Sequence, residues 1–259
     1  MVADEVERYL ASLVEVAQAV LGADLVGVYA AGSLALDAFQ AGRSDVDVAV
    51  VCRDPLSEAT QRELVARWRH SALPCPARGL ELVVYTAAAA RSGTPEPGFE
   101  LELNDGPAMG FRQTLRPTDR PVADGTFWYG LDRSILHQSG RALAGPPAAQ
   151  TFADLDAGDL RRLLAESLRW WMQLPAPAGD EPAVGADDAV LGACRALVRH
   201  RDGVWLSKVD AGRRLVATGV DQADVVEQSV AARSGGRPPS GTAARAFQRR
   251  VLEEVSRPA

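Results

Sequence analysis

The sequence predicts two domains of different class. The first is an α/β N-terminal domain, a small mixed sheet with flanking helices; the second is an all-α helical-bundle C-terminal domain. Three observations predict this. Valine-rich apolar runs at 25–31, 46–52 and 80–86 alternate with amphipathic stretches in the first half. From about residue 131 onward every periodic stretch has the helical repeat. Between the two textures stands Gly145-Pro146-Pro147, a strong breaker. The boundary is set there, giving domains 1–150 and 151–259, lengths that suit two modest cores.

The elements follow in order. Val6, Tyr9, Leu10, Leu13, Val16, Ala17, Val20 and Leu21 recur at helical spacing over 4–21, and Gly22 stops that helix. Leu25 to Ala31 reads as a buried strand, and Gly32-Ser33 turns the chain. Val46 to Cys52 is a second strand. Ser57 to His70 is a helix with Leu64, Val65 and Trp68 inward, and Leu80 to Thr86 is a third strand. The region 91–130 is rich in Gly and Pro, has little periodicity and reads as loops with short elements. Leu131 to Ala144 reads as a helix. Beyond it, helices are expected over Asp159–Leu174, Asp187–Arg201, Ser207–Thr218, Asp221–Arg233 and Thr242–Ser256. Pro175 to Gly185 reads as a loop, and Ser234 to Gly241 as a flexible linker.

Composition narrows the function. At 47% hydrophobic and 24% charged the chain is ordinary globular material. A net charge of −6 disfavours a sequence-independent grip on nucleic acid. No apolar run approaches the ~20 residues that span a bilayer, and the acidic, amphipathic N-terminus does not have the layout of a secretory signal. Cys52, Cys75 and Cys194 stand apart, as do His70, His137 and His200. Neither a disulfide framework nor a zinc site is expected, and a reducing cytoplasm fits.

The chemistry concentrates at Gly32-Ser33 and Asp45-Val46-Asp47. Side chains two apart on a strand share a face, so the Asp45 and Asp47 carboxylates project together. Paired carboxylates repel unless a cation lies between them. Mg²⁺ suits such a pair, since it takes one or two carboxylates and completes its shell with water and phosphate oxygens. Gly32 lets a phosphate approach the backbone, and Ser33 offers a hydroxyl and an amide to it. Glu81, between Leu80 and Leu82, is a third acid. If its strand lies beside the second, Glu81 shares the face of Asp45 and Asp47 and serves as metal ligand or general base. If its strand lies at an edge, Glu81 simply faces solvent.

Gly32-Ser33 with Asp45-Val46-Asp47 resembles the signature of the DNA polymerase beta-like nucleotidyltransferase superfamily. GRALAGPPA (140–148), LLAESLRWW (163–171), PAGDE (177–181) and ACRALVRHRDGVWLSK (193–208) look like segments of the aminoglycoside adenylyltransferases that modify streptomycin and spectinomycin. The resemblance implies Mg²⁺-dependent transfer of AMP from ATP to a hydroxyl of an aminoglycoside or aminocyclitol, with release of pyrophosphate. It implies metal ligands at Asp45 and Asp47, and a base at Glu81 that activates the hydroxyl. It also implies nucleotide contacts at Gly32, Ser33 and Ser44, and phosphate contacts at Arg195 and Lys208. Trp171, Asp180 and Glu181 match the substrate side. A monomeric cytoplasmic enzyme with no nucleic-acid or membrane partner is expected.

The sequence also departs from the family. Streptomycin-accepting members carry a Trp in the segment matching FELELND (99–105), where this chain has Leu101, Glu102 and Leu103. They also carry an Asp where this chain has Ala176, and a Tyr expected near 229–230 to support the adenine or phosphates is replaced by Ser229 and Val230. These departures point to spectinomycin, or another hydroxylated substrate, rather than streptomycin. A nucleotidyltransferase acting on a protein or RNA hydroxyl, and a catalytically inactive nucleotide sensor, are the alternative readings.

Overall fold

The computed structural model describes residues 2–174 and 179–257. Contacts divide the chain into two compact units, Met1–Asp156 and Ala157–Ala259.

The first unit is built on a six-stranded sheet. Its strands are β1 (Leu25–Ala30), β2 (Val46–Cys52), β3 (Leu80–Thr86), β4 (Phe99–Gly106), β5 (Met109–Thr114) and β6 (Arg141–Ala144), in the spatial order β5-β4-β3-β2-β1-β6. Only the β2–β3 pair is parallel; the other neighbours are antiparallel. A parallel pair needs a crossover, and α3 (Glu58–Trp68) lies on it, capped by the Ser57 hydroxyl accepting from Thr60 N.

The two faces of the sheet follow from strand parity. One face buries Val46, Val48 and Val50 of β2, Leu80, Leu82 and Val84 of β3, and Leu101 and Leu103 of β4. These pack on α1 (Val2–Leu21) through Val6, Leu10, Leu13 and Ala17, and on α3 through Leu64, Val65 and Trp68. Each fully buried Leu or Val there contributes roughly 1.5–3 kcal/mol. The opposite face carries a smaller core of Tyr29, Ala49, Val51, Tyr85 and Phe99, closed by Tyr129 and Leu136. Those two belong to α5 (Phe127–Ser139). Phe152 completes this core edge-on to Tyr29, with ring centroids 5.1 Å apart. Three short helices, α2 (Gly32–Ala35), α4 (Ala87–Arg91) and α6 (Ala148–Thr151), fill the connections.

Two expectations are corrected here. The stretch read as loops over 91–130 contains the β4–β5 hairpin. Phe99, Leu101 and Leu103 do alternate with Glu100, Glu102 and Asn104, but the alternation is short and sits among breakers. A bulge between the pairs Val84↔Leu101 and Tyr85↔Phe99 shifts Phe99 into the second core. The helix read over Leu131–Ala144 begins earlier, at Phe127, and ends at Ser139. Residues 141–144 instead form the edge strand β6 against β1. Gly140 ends the helix: its N–H bonds back to Leu136 O, and an added Cβ would crowd that carbonyl.

The second unit is helical, as expected: α7 (Ala157–Gln173), α8 (Ala186–Asp202), α9 (Lys208–Ala217), α10 (Ala223–Ala232) and α11 (Gly241–Val255). α8 is central, with Val190, Leu191, Cys194, Leu197 and Val198 buried, and it packs on α7, α9, α10 and α11. The stretch read as a flexible linker, 234–241, is pinned. Ala183 N donates to Pro239 O, Gln228 Nε2 donates to Pro238 O, and Pro182 bridges Ser240.

Candidate active site

The parallel pair builds the site. Asp47 of β2 stands directly opposite Glu81 of β3. β3 is flanked on both sides, by β2 and β4, so the edge-strand reading of Glu81 is excluded. Both acids are on the face of Ala49 and Val51, beyond the end of the smaller core. Asp45 precedes β2 by one residue and has the same parity as Asp47.

Gly32-Ser33 comes to this place from β1. Ala31 N donates to Asp47 O at 2.9 Å, which sets α2 against the start of β2. Gly32 has φ +51°, and a Cβ added there would overlap the Asp47 carboxylate. Only glycine meets both demands. Ser33 Oγ is buried without a hydrogen-bond partner, a hydroxyl set for a group that the fold itself does not supply. Ser44 is buried, and its Oγ accepts from Gln40 N at 2.9 Å. Its hydroxyl thus shapes the turn that delivers Asp45.

The Glu81 carboxyl is strongly perturbed. It is pushed up to about 8, first by desolvation, then by the charges of Asp47, Asp45 and Glu102; the Arg112 guanidinium opposes the rise. Glu81 is nonetheless exposed to water.

The row of Asp47 and Glu81 continues across the sheet through Asn104 of β4 to Arg112 of β5. With its amide oriented to accept from Arg112 Nη2 at 2.8 Å, Asn104 joins the two. Arg112 also bonds Asp124 (2.9 Å) and Glu102 (3.2 Å). Glu102 is buried and further held by Arg120 at 2.5 Å and Thr114 Oγ1 at 2.9 Å. None of these was read from the sequence. The alternation of FELELND was the signal for them, since it places Glu102 and Asn104 on the face of Glu81.

Among the described residues, no group of three or more His, Cys, Asp or Glu side chains is placed to hold a metal ion. A closed cage of Asp45, Asp47 and Glu81 is therefore not formed. Two carboxylates beside an unsatisfied hydroxyl fit the kind of magnesium site that is completed by water and phosphate oxygens. The Asp45 carboxylate has Arg78 Nε at 3.9 Å, a loose contact.

In the helical unit, Lys208 Nζ bonds Asp188 Oδ1 at 3.0 Å. The Arg195 guanidinium lies over the Trp205 ring, 5.9 Å from its centroid. Both therefore sit in defined surroundings. Trp171 is half-buried and edge-on to Trp170. Asp180 and Glu181 are exposed. Ala176 lies outside the described residues, as does all of 175–178 within the expected loop. Ser229 is fully buried and its Oγ donates to Val225 O, while Leu101 and Leu103 point into the larger core.

No protein-family model matches the chain, and no curated protein does. Among solved structures, it is similar to the spectinomycin adenyltransferase AAD(9) from Enterococcus faecialis, solved with ATP and spectinomycin. The TM-score is 0.68 at 13% identity, over 97% of this chain and 99% of that one. The two proteins share a fold across nearly their full lengths.

Proposed function

We propose that the protein is a magnesium-dependent adenylyltransferase that moves AMP from ATP to a hydroxyl of an aminocyclitol or aminoglycoside, with spectinomycin preferred over streptomycin. The observation that carries the reading is the register pairing of Asp47 with Glu81, against a Gly-Ser turn whose serine hydroxyl is unsatisfied. The fold shared with a spectinomycin adenyltransferase supports it.

In this reading Asp45 and Asp47 hold a magnesium ion, which when bound would neutralise charge on the nucleotide phosphates. Gly32, Ser33 and Ser44 contact the nucleotide, and Arg195 and Lys208 are assigned to its phosphates. Glu81 takes the proton of the acceptor hydroxyl. The hydroxyl oxygen bonds to the α-phosphorus as the bond to the β-phosphate oxygen breaks, and pyrophosphate leaves. A carboxyl whose proton affinity is raised by burial and by neighbouring acids accepts a proton more readily than an ordinary one. Asp180 and Glu181 would meet the drug's cationic groups, and Trp171 would supply an apolar wall. The preference for spectinomycin rests on the segment 99–105. Its leucines and Phe99 are committed to the two cores and its Glu102 to two arginines, so it offers the drug no aromatic wall.

The experiment is pyrophosphate release by purified protein with ATP and Mg²⁺. Release is expected on addition of spectinomycin, and less with streptomycin. No release with either drug or with a wider aminoglycoside panel overturns the reading.

A further inference from the structure

We propose that Arg233 is a third phosphate-binding cation of the helical unit, acting with Arg195 and Lys208 on the polyphosphate of the nucleotide. The inference rests on the reading of those two residues as phosphate contacts.

The cluster is built from three helices. Asp188 lies in the first turn of α8, Lys208 begins α9, and Arg233 follows the last residue of α10. One oxygen, Asp188 Oδ1, accepts from both Lys208 Nζ (3.0 Å) and Arg233 Nη1 (2.7 Å). Asp187 Oδ2 is 4.0 Å from the same Arg233 nitrogen. Arg195 stands two turns along α8 from Asp188, on the same face. The Lys208 ammonium is held below its usual range, first by desolvation, and Arg195 and Arg233 act in the same direction while Asp188 opposes. Lys208 and Arg233 thus share one carboxylate oxygen, and Lys208 feels the charge of Arg195 as well.

Arg233 is more enclosed than Lys208, with 13% of its side chain exposed against 30%. Its Nε is buried without a hydrogen-bond partner. A guanidinium offers five donors in a planar fork, and one carboxylate oxygen leaves most of that fork unused. Phosphate oxygens match such a fork bidentately and form charge-assisted bonds. A purely structural arginine tying α10 to α8 would need only the Asp188 contact.

The test uses the full-length protein and sodium tripolyphosphate, without drug or metal, in a calorimetric titration. Arg233→Gln is expected to weaken binding about tenfold, and Arg233→Lys to weaken it less. A folded Arg233→Gln protein that binds as tightly as wild type overturns the proposal, as does a wild type that does not bind tripolyphosphate. Should Arg233→Gln fail to fold, the Nε–H resonance of Arg233 in the wild-type protein decides, assigned with Arg233→Lys. It is expected to shift on saturation, and an unmoved resonance overturns the proposal. Binding with that shift but without drug-dependent pyrophosphate release would sink the adenylyltransferase reading and leave Arg233 an anion ligand. The converse result would sink only the role of Arg233.

Discussion

Glu81 and Gly32 carry the sharpest expectations at the scale of single residues. Glu81→Gln keeps the shape of the side chain and removes its basicity. Turnover is expected to fall by about 10²–10⁴, with ATP binding retained by calorimetry; lost ATP binding would instead make Glu81 a ligand. The pH dependence has a definite sign. In the metal-free protein the folded state holds the Glu81 proton more tightly than the unfolded chain, whose value is 4.5. The stability from this group is therefore intact below pH 4.5 and is lost as pH rises towards 8. With EDTA present, Glu81→Gln should melt higher than wild type at pH 8.5, and the gap should close at pH 4. Gly32→Ala should lose about 1–3 kcal/mol in denaturant titration, from positive φ and from overlap with Asp47, and should lose ATP binding with it. Gly32, Asp47 and Glu81 were legible in the sequence because glycine, strand parity and an acid among leucines each have one physical cause. Arg233 was not, because a guanidinium at a helix end reads as solvated until the fold brings Asp188 to it.

At the scale of elements, what was legible followed the strength of the periodicity. α1, β2, β3 and the helices from α7 onward repeat long enough to be read directly. The β4–β5 hairpin was missed because its alternation is short and sets Glu100 and Glu102 between its apolar residues. Those acids are stable in a sheet only because partners arrive from elsewhere. Glu102 depends on Arg112 one strand away and on Arg120 beyond the hairpin. Glu102→Ala would leave Arg120, 7% exposed, without its carboxylate. It should cost about 3 kcal/mol, measured by urea unfolding, and the loss should appear with or without nucleotide. Similarly, β6 reads as the tail of a helix because four residues are too few to show a period, and only pairing with β1 decides it.

At the scale of the whole molecule, each unit closes a core of its own. The first holds two cores on either side of one sheet, and the second is organised around α8. A fragment covering 157–259 is therefore expected to be helical by circular dichroism and to melt cooperatively. No helix among the described residues is long and apolar enough to cross a membrane. The parallel β2–β3 ladder bears on how such a chain can diverge. Asp47 and Glu81 are neighbours through backbone register, not through the length of chain between them. Insertions or deletions in the crossover can accumulate over generations without altering the distance between the two carboxylates, whereas a single-residue insertion inside β3 would turn Glu81 to the wrong face. The two acids of such a site are thus better located by which strand positions pair than by counting the residues between them.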